Sequence, residues 1–532
     1  MSRPKRGGGG KGRKGGKPPA EPPRPVPLPE PHPERPPIPL VIAVVLTAVL
    51  EVLDITIVNV AIPHMLGAFG ATADQITWVL TSYIVAAAVV MPLTGYLSKW
   101  LGRRRLLLTA IIGFIASSAL CGLAWNLESM VLFRLAQGVF GAPLVPLSQA
   151  ILLDVFPRNR AGQALAIFGL GIMVAPVMGP ALGGYLTEVY SWRTVFYINV
   201  PIGMFALLMS IGYLPSRAIK DIKTDWIGMG LLVLAVGALQ FVLDQGQMRD
   251  WFNSRPIVVG AIVAVFATAA FFLRGWNKPD NIIDLTLLRD RNFVAGTLAI
   301  TAYGISLFGW MALMPLFTQR LLGYPPALAG TLFIPRAVVS AITLAITGSI
   351  LIKLFDTRYL VTAGLVMTAV GTLLMAHFTL YVDYWGMATP GIWGGIGTGL
   401  FFVPLTAVAF ASIPKSQLDE ASGVYALMRG IGGSAGIAVV SWLFVRQAQI
   451  HFAELTAHIT PYNPALLPYL AQHGLNPYSP QAGPLVAHEI ADQAQMLAFN
   501  DLFWFIGVVT LAIIPLIFIM KKPEKIELVP AH

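Results

Sequence analysis

Fourteen apolar runs, each about 20 residues and so long enough to cross the hydrocarbon core of a bilayer as a helix, constrain this chain more than any other feature. Their approximate centres are residues 50, 86, 115, 141, 172, 204, 235, 265, 306, 340, 370, 397, 433 and 509. Charged or Pro/Gly-rich breaks separate them. The runs lack the alternation of a membrane β-barrel, so the fold reads as all-α. Composition agrees. Of 532 residues, 56% are hydrophobic and 12% charged, about half the charged share of a soluble protein, and mean hydropathy is +0.69. Most of that apolar surface must face lipid, which makes this a polytopic membrane protein.

One cysteine, Cys121, lies inside an apolar run. It excludes a disulfide framework, a CxxC redox pair and a cysteine-ligated cluster. The net charge of +10 resembles a nucleic-acid footprint only until it is divided. Residues 1–38 hold nine Lys/Arg and three Glu, which leaves +4 for the body. That Gly/Lys/Arg-rich and then Pro-rich tail cannot bury a core, and reads as a disordered cytoplasmic segment with no nucleic-acid partner. A signal peptide does not fit either. The apolar run that follows is of full spanning length, carries Glu51 and Asp54, and has no small-residue cleavage site.

Sorting the basic residues gives direction. With a cytoplasmic N-terminus, 28 of the 36 Lys and Arg fall in the tail, the even-numbered loops and the C-terminus; five fall in outer loops, and Arg134, Arg336 and Arg429 lie within spans. Both ends are therefore expected in the cytoplasm. Most connections are short. The exception is 447–498, an outer loop rich in His, Gln and Pro with helix-like stretches QAQIHFAELTAHI and LVAHEIADQAQML and no metal-ligand spacing.

Ionisable residues inside spans are the strongest functional signals, because each costs at least ~2.5 kcal/mol at the bilayer centre unless paired or hydrated. Glu51 and Asp54, three apart, share one face of the first span. Two such carboxylates in a low dielectric do not both stay ionised without a counter-charge, which suits a proton carrier. The competing reading is a structural pair permanently satisfied by Arg or backbone. In the fifth span Gly171, Ala175, Gly179 and Gly183 recur every four residues and line one face, with Pro180 adding a bend. Spacing alone fits ordinary membrane packing. The turn after the second span uses Gly95 and Gly102 for a tight loop, and Arg103 and Arg104 to meet acidic groups or helix C-termini on the neighbouring bundle. GYLSKWLGRRR (95–105) and GSILIKLFDTR (348–358) repeat one pattern, as expected of two related bundles around a midplane site.

Several strings resemble the major facilitator superfamily, and within it the fourteen-span drug:proton antiporters of the EmrB/QacA type. They are LDITIVNVAIP (53–63), RLAQG (134–138), GPALGG (179–184), SWRTVFYINVPIG (191–203) and DWIG (225–228). FFVPLT (401–406), MRGIGGSAGIA (428–438) and the long outer loop point to the EmrB branch. The resemblance covers residues 40–525. It implies a fold of two six-helix bundles with two inserted helices: a tail over 1–38, a bundle over 39–215, linker helices over 216–280, a second bundle over 281–520, and a tail over 521–532.

It further implies proton-driven export by alternating access. Asp54 and Glu51 would carry the proton, with Arg134 as partner, since the first and fourth spans neighbour one cavity in that fold. Asn59, Gln137, Tyr303, Trp310, Arg336 and Arg429 are expected to line the substrate cavity, whose arginines would favour amphipathic weak acids over quaternary cations. For Arg336 and Arg429 the bland alternative is snorkelling to headgroups. Gly171, Gly179, Pro180, Gly183 and Gly184 would form a gate between the bundles. Lys99 departs from the superfamily pattern, which is acidic there, so the usual carboxylate latch does not carry over unchanged. Expected partners are hydrophobic drugs, protons, a periplasmic membrane-fusion adaptor and an outer-membrane channel docking partly on 447–498, with the chain in the bacterial inner membrane. No cofactor is expected. With no GxxxxGK[ST] loop, the proton gradient supplies the energy. A nutrient facilitator and a polytopic membrane enzyme are the rival functions; the second lacks a hydrophilic catalytic domain.

Overall fold

The computed structural model describes residue 2 and residues 37–157, 160–214, 224–276, 281–460, 463–464, 466–476 and 478–521. The expectations for the N-terminal tail, for Arg158, Arg217, Lys220, Lys223, Lys278, Lys522 and Lys525, and for the boundary at 215–216 lie outside them. Among the described residues fourteen helices are long and apolar enough to cross a membrane. They are α1 (Ile38–Phe69), α2 (Trp78–Leu101), α3 (Arg103–Gly122), α4 (Leu127–Val155), α5 (Ala161–Val189), α6 (Thr194–Tyr213) and α7 (Trp226–Gln245). Then follow α8 (Arg255–Gly275), α9 (Arg291–Leu321), α10 (Leu328–Leu354), α11 (Thr357–Met375), α12 (Tyr384–Phe410), α13 (Lys415–Ala457) and α14 (Ala482–Ile519). Every centre read from the sequence falls inside its helix. Helices are what lipid permits, since each backbone polar group must be satisfied within the segment.

The outer loop is shorter than 447–498. α13 continues to Ala457 and α14 begins at Ala482, leaving 458–481 with a short helix, Leu466–Gln472. No Gly or Pro interrupts residues 447–459. Extending an existing helix is cheaper than nucleating a new turn, so α13 runs on past the apolar run.

α1 packs on α4, α5 and α6, α2 on α4, and α3 on α4 and α6. In the second half α9 packs on α12, α13 and α14, α10 on α12, and α11 on α12 and α14. The halves meet where α5 crosses α10 and α12, and where the start of α13 lies against α2 and α4. α12 fills the second half, its most apolar stretch 72% buried; the corresponding stretch of α8 is 22% buried and faces lipid. The inserted pair α7–α8 leans on both halves through α7. Gln245 donates to Thr81 of α2 (3.0 Å), Gln240 donates to Ser434 of α13 (2.5 Å), and Phe241 stacks on Trp78. Asp225 ties the start of α7 to Arg274 of α8 at 2.6 Å. The end of the molecule where α1 begins and α2 finishes carries Lys99, Arg103 and Lys415, and is termed the basic face below.

Candidate functional site

Asp54 sits midway along α1, fully buried at the meeting of α1, α4 and α6. Arg134 of α4 donates Nη1 to Asp54 Oδ2 at 2.6 Å, Gln137 Nε2 donates to Oδ1 at 2.8 Å, and Asn199 Nδ2 of α6 donates to Oδ1 at 2.7 Å. Arg134 and Gln137 lie on one face of α4, three apart, which lets both reach the same carboxylate. Arg134 also donates to Val79 O and Gln137 Oε1, and lies 4.4 Å over the Tyr83 ring. Asn199 is held in turn by Ser118, which donates to Phe196 O. The pairing of Asp54 with Arg134 expected from the sequence is present. Gln137 is a correction: it was expected to line the cavity, but is 0% exposed because both ends of its amide are engaged within the Asp54 network. Asn199 and Ser118 were not anticipated. An Asn inside the apolar string FYINVP was the available signal for the first; a serine in a span gives none.

Glu51, one turn earlier on α1, is 5% exposed and makes no hydrogen bond or ion pair among the described residues. It lies within electrostatic reach of Asp54 and of Arg429 on α13 of the other half. Asn59 is exposed, further along α1 and outside the buried network.

The glycine face of α5 lies on α1. A Cβ at Gly171 would stand 2.7 Å from Val45, one at Gly179 would collide with Thr56, and one at Gly183 would stand 2.9 Å from Ile57 O. Gly184 meets only Val60, at 4.0 Å, and Pro180 lies within the helix. These small residues thus seat α5 on the helix that bears both carboxylates, within one half. The contact with the other half falls to Gly162, which faces the Gly348 backbone of α10, and Gly169, which faces Leu344 and Phe402.

At the basic face the halves are tied by charge. Lys99 Nζ lies 2.5 Å from Glu420 Oε2, with Glu420 1% exposed, and the Asp284 amide donates to the same carboxylate. Arg103 bridges Asp154 of its own half (2.9 Å) and Asp419 of the other (2.7 Å); Ser98 donates to Asp419, and Lys415 approaches Asp154 at 3.5 Å. Asp419 and Glu420 occupy the first turn of α13, where the helix dipole favours anions. Arg104 donates to Ile211 O in the last turn of α6, a helix C-terminus in its own half and not across the halves. Gly102 has φ +83°, and a Cβ on Gly95 would stand 2.5 Å from the Glu420 Cα, so each glycine is required where it is. The carboxylate missing at Lys99 is thus supplied by α13, with the polarity reversed.

In the second half Tyr303 is buried, stacked on Phe401 at 4.1 Å and hydrogen-bonded to Thr398, so it fills the core instead of offering a free ring. Trp310, 4% exposed, donates to Met375 Sδ and carries the Arg336 guanidinium 3.9 Å above its ring. Trp310 and Arg336 line a small cavity inside the bundle. Arg336 is three residues into the main helix of α10 from the end opposite the basic face, stacked inward and not snorkelling. Among the described residues no three His, Cys, Asp or Glu converge as a metal site would.

Fourteen candidate spans in two packed halves with two further helices between them in the chain, and a buried ion pair near the middle, are the frame of a membrane transporter. Sequence comparison agrees. The Major Facilitator Superfamily profile matches residues 44–437. The chain is 36% identical over 484 residues to the multidrug export protein EmrB of Escherichia coli K12, covering 90% of this chain and 94% of that one. It is 35% identical over 483 residues to the fatty acid resistance protein FarB of Neisseria gonorrhoeae, covering 90% and 95%. A crystal structure of the human organic anion transporter MFSD10 superposes with a TM-score of 0.60 at 16% identity, over 90% of this chain and 100% of that one; at that identity it shows the fold alone. The chain belongs to the major facilitator superfamily, in the family of EmrB multidrug export proteins, whose members are transporters and not enzymes.

Proposed function

We propose that the protein is a proton-driven exporter of hydrophobic and amphipathic compounds, working by alternating access in the bacterial inner membrane with both termini in the cytoplasm. The observation that carries this reading is the pair of α1 carboxylates in contrasting settings. Asp54 is held by Arg134, Gln137 and Asn199; Glu51, a turn away, has no hydrogen bond or ion pair among the described residues. In the arrangement seen, with the basic face latched, Asp54 is the charged partner of Arg134. A proton arriving through Glu51 neutralises the Asp54 carboxylate and weakens the ion pair, and the α4 and α6 contacts on α1 loosen with it. Substrate bound between the halves favours proton loss, and the cycle exchanges one for the other. α5, seated on α1 by its glycines and crossing to α10, transmits the change to the second half.

The placement of basic residues supports a cytoplasmic basic face. The helical extensions of α13 and α14 on the opposite side suit docking of a periplasmic adaptor that leads to an outer-membrane channel. Dye efflux from proteoliposomes under an imposed pH gradient tests the exporter reading. Wild-type protein extrudes dye only with the gradient inward to the basic face, and Glu51→Gln and Asp54→Asn lose that dependence. Dye movement indifferent to the gradient would point to a facilitator.

A further inference from the structure

We propose that the Tyr83 hydroxyl of α2 hands the proton between Glu51 and Asp54. The proposal rests on the exporter reading and deepens it by naming the group that joins the two carboxylates. Tyr83 is 0% exposed, and the Arg134 guanidinium lies 4.4 Å over its ring. Such a contact uses the ring face and asks nothing of the oxygen, so a phenylalanine would serve it. Yet a hydroxyl is carried into the interior, where it makes no hydrogen bond among the described residues. Burial without a partner costs that group its hydration, and a buried tyrosine ordinarily finds one. Glu51 is likewise buried and without a hydrogen bond among the described residues.

Two glycines of α4 bring this side chain close. A Cβ at Gly138 would stand 2.5 Å from the Tyr83 carbonyl oxygen, and one at Gly141 would stand 2.8 Å from the hydroxyl itself. The side chain therefore lies along α4, its ring at Arg134 and its oxygen at Gly141, further towards the basic face where Asp154 of α4 meets Arg103. α1 starts at the basic face, so Glu51 stands on that same side of Asp54. The hydroxyl lies within electrostatic reach of Glu51, Asp54 and Arg134. Asp54 takes its donors from α4 and α6; among the described residues α2 contributes none, so that side is open to a transient one. A tyrosine hydroxyl both accepts and donates. Its oxygen takes the proton of the Glu51 carboxyl as its own O–H hydrogen passes to the Asp54 carboxylate. Glu51 is left ionised, Asp54 becomes the neutral acid, and Tyr83 is a neutral phenol before and after; rotation about its C–O bond resets it. Arg134 cannot take this part, because a guanidinium keeps its protons.

The test is stopped-flow proton release from the full chain in detergent on adding saturating tetraphenylphosphonium, followed with a pH-indicating dye. Substrate drives the same route backwards, from Asp54 through Tyr83 to Glu51 and out. Wild-type protein releases its protons in one phase. Tyr83→Phe keeps the ring beneath Arg134 and splits the release in two. The Glu51 proton leaves at the wild-type rate, and the Asp54 proton leaves about a hundredfold more slowly, the scale of a lost acid–base group. Total release and tetraphenylphosphonium affinity stay at the wild-type level, and the melting point is no lower, because an unsatisfied hydroxyl is gone. Adding Asp54→Asn to Tyr83→Phe removes the slow phase. A single phase at the wild-type rate in Tyr83→Phe overturns the relay, and so does a slow phase that survives Asp54→Asn. A fall in total release, affinity or melting point in Tyr83→Phe also overturns it, as the sign of a structural hydroxyl. If wild type releases no protons, the exporter reading falls and the relay with it; if wild type releases them and Tyr83→Phe matches its rate, only the relay falls.

Discussion

Lys99 Nζ of α2 stands 2.5 Å from Glu420 Oε2 of α13, one half of the molecule gripping the other with the signs reversed from the superfamily pattern. Glu420 is buried while the Lys99 side chain is 36% exposed, so the pair is worth less than a fully buried one, on the order of 1–2 kcal/mol. Glu420→Lys or Lys99→Glu places like charges together and opens the basic face. The double exchange restores attraction. Export measured in cells is expected to fall in each single variant and return in the double one; no recovery would mean that the pair does not act as a latch.

Gly95 is a separate requirement at the same crossing. A Cβ there would stand 2.5 Å from the Glu420 backbone, and neither main chain can turn aside. Gly95→Val is expected to push the halves apart, at a cost of about 1–3 kcal/mol of overpacking. Spin labels on α2 and α13 at the basic face would report the longer distance, and an unchanged distance distribution would refute the clash.

The buried pair in the first half predicts a non-additive series. Arg134→Gln leaves Asp54 with two neutral donors and no counter-charge, a loss of about 3–5 kcal/mol typical of a broken buried pair. Adding Asp54→Asn removes the stranded charge. Thermal unfolding in detergent should therefore show the double variant more stable than Arg134→Gln alone.

The α5 glycines predict a loss of function without loss of protein. Gly183→Val drives side-chain atoms into the Ile57 carbonyl, and α5 can no longer seat on the carboxylate-bearing helix. Membrane abundance is expected near wild type with export abolished. Retained export would show that close α1–α5 contact is dispensable.

The fourteen helices were legible because spanning length and apolarity write directly into sequence, and even the apparent duplication has a structural counterpart. Gly95 and Gly348, which occupy equivalent places in the repeated strings, both lie at crossings between halves, on Glu420 and on Gly162. Asp54 and Arg134 were legible because charges are rare in spans. What the sequence hid is direction. Spacing put Gly171, Gly179 and Gly183 on one face, but nothing in it says that this face meets α1 and not the second half. Gln137 and Tyr303 read as polar or aromatic cavity residues, yet hydrogen bonds to Asp54 and Thr398 bury them. Glu420 escaped notice because it lies in the first turn of α13, before the apolar run, where a carboxylate is ordinary until Lys99 lies beside it.

Protons and substrate are held here to compete through the two carboxylates of α1. The most direct measurement is proton release into unbuffered detergent solution on adding tetraphenylphosphonium. Wild-type protein is expected to release protons, each of Glu51→Gln and Asp54→Asn fewer, and the double variant none while still binding the probe. Release from the double variant equal to wild type would contradict the account, because the proton would then come from a group outside α1.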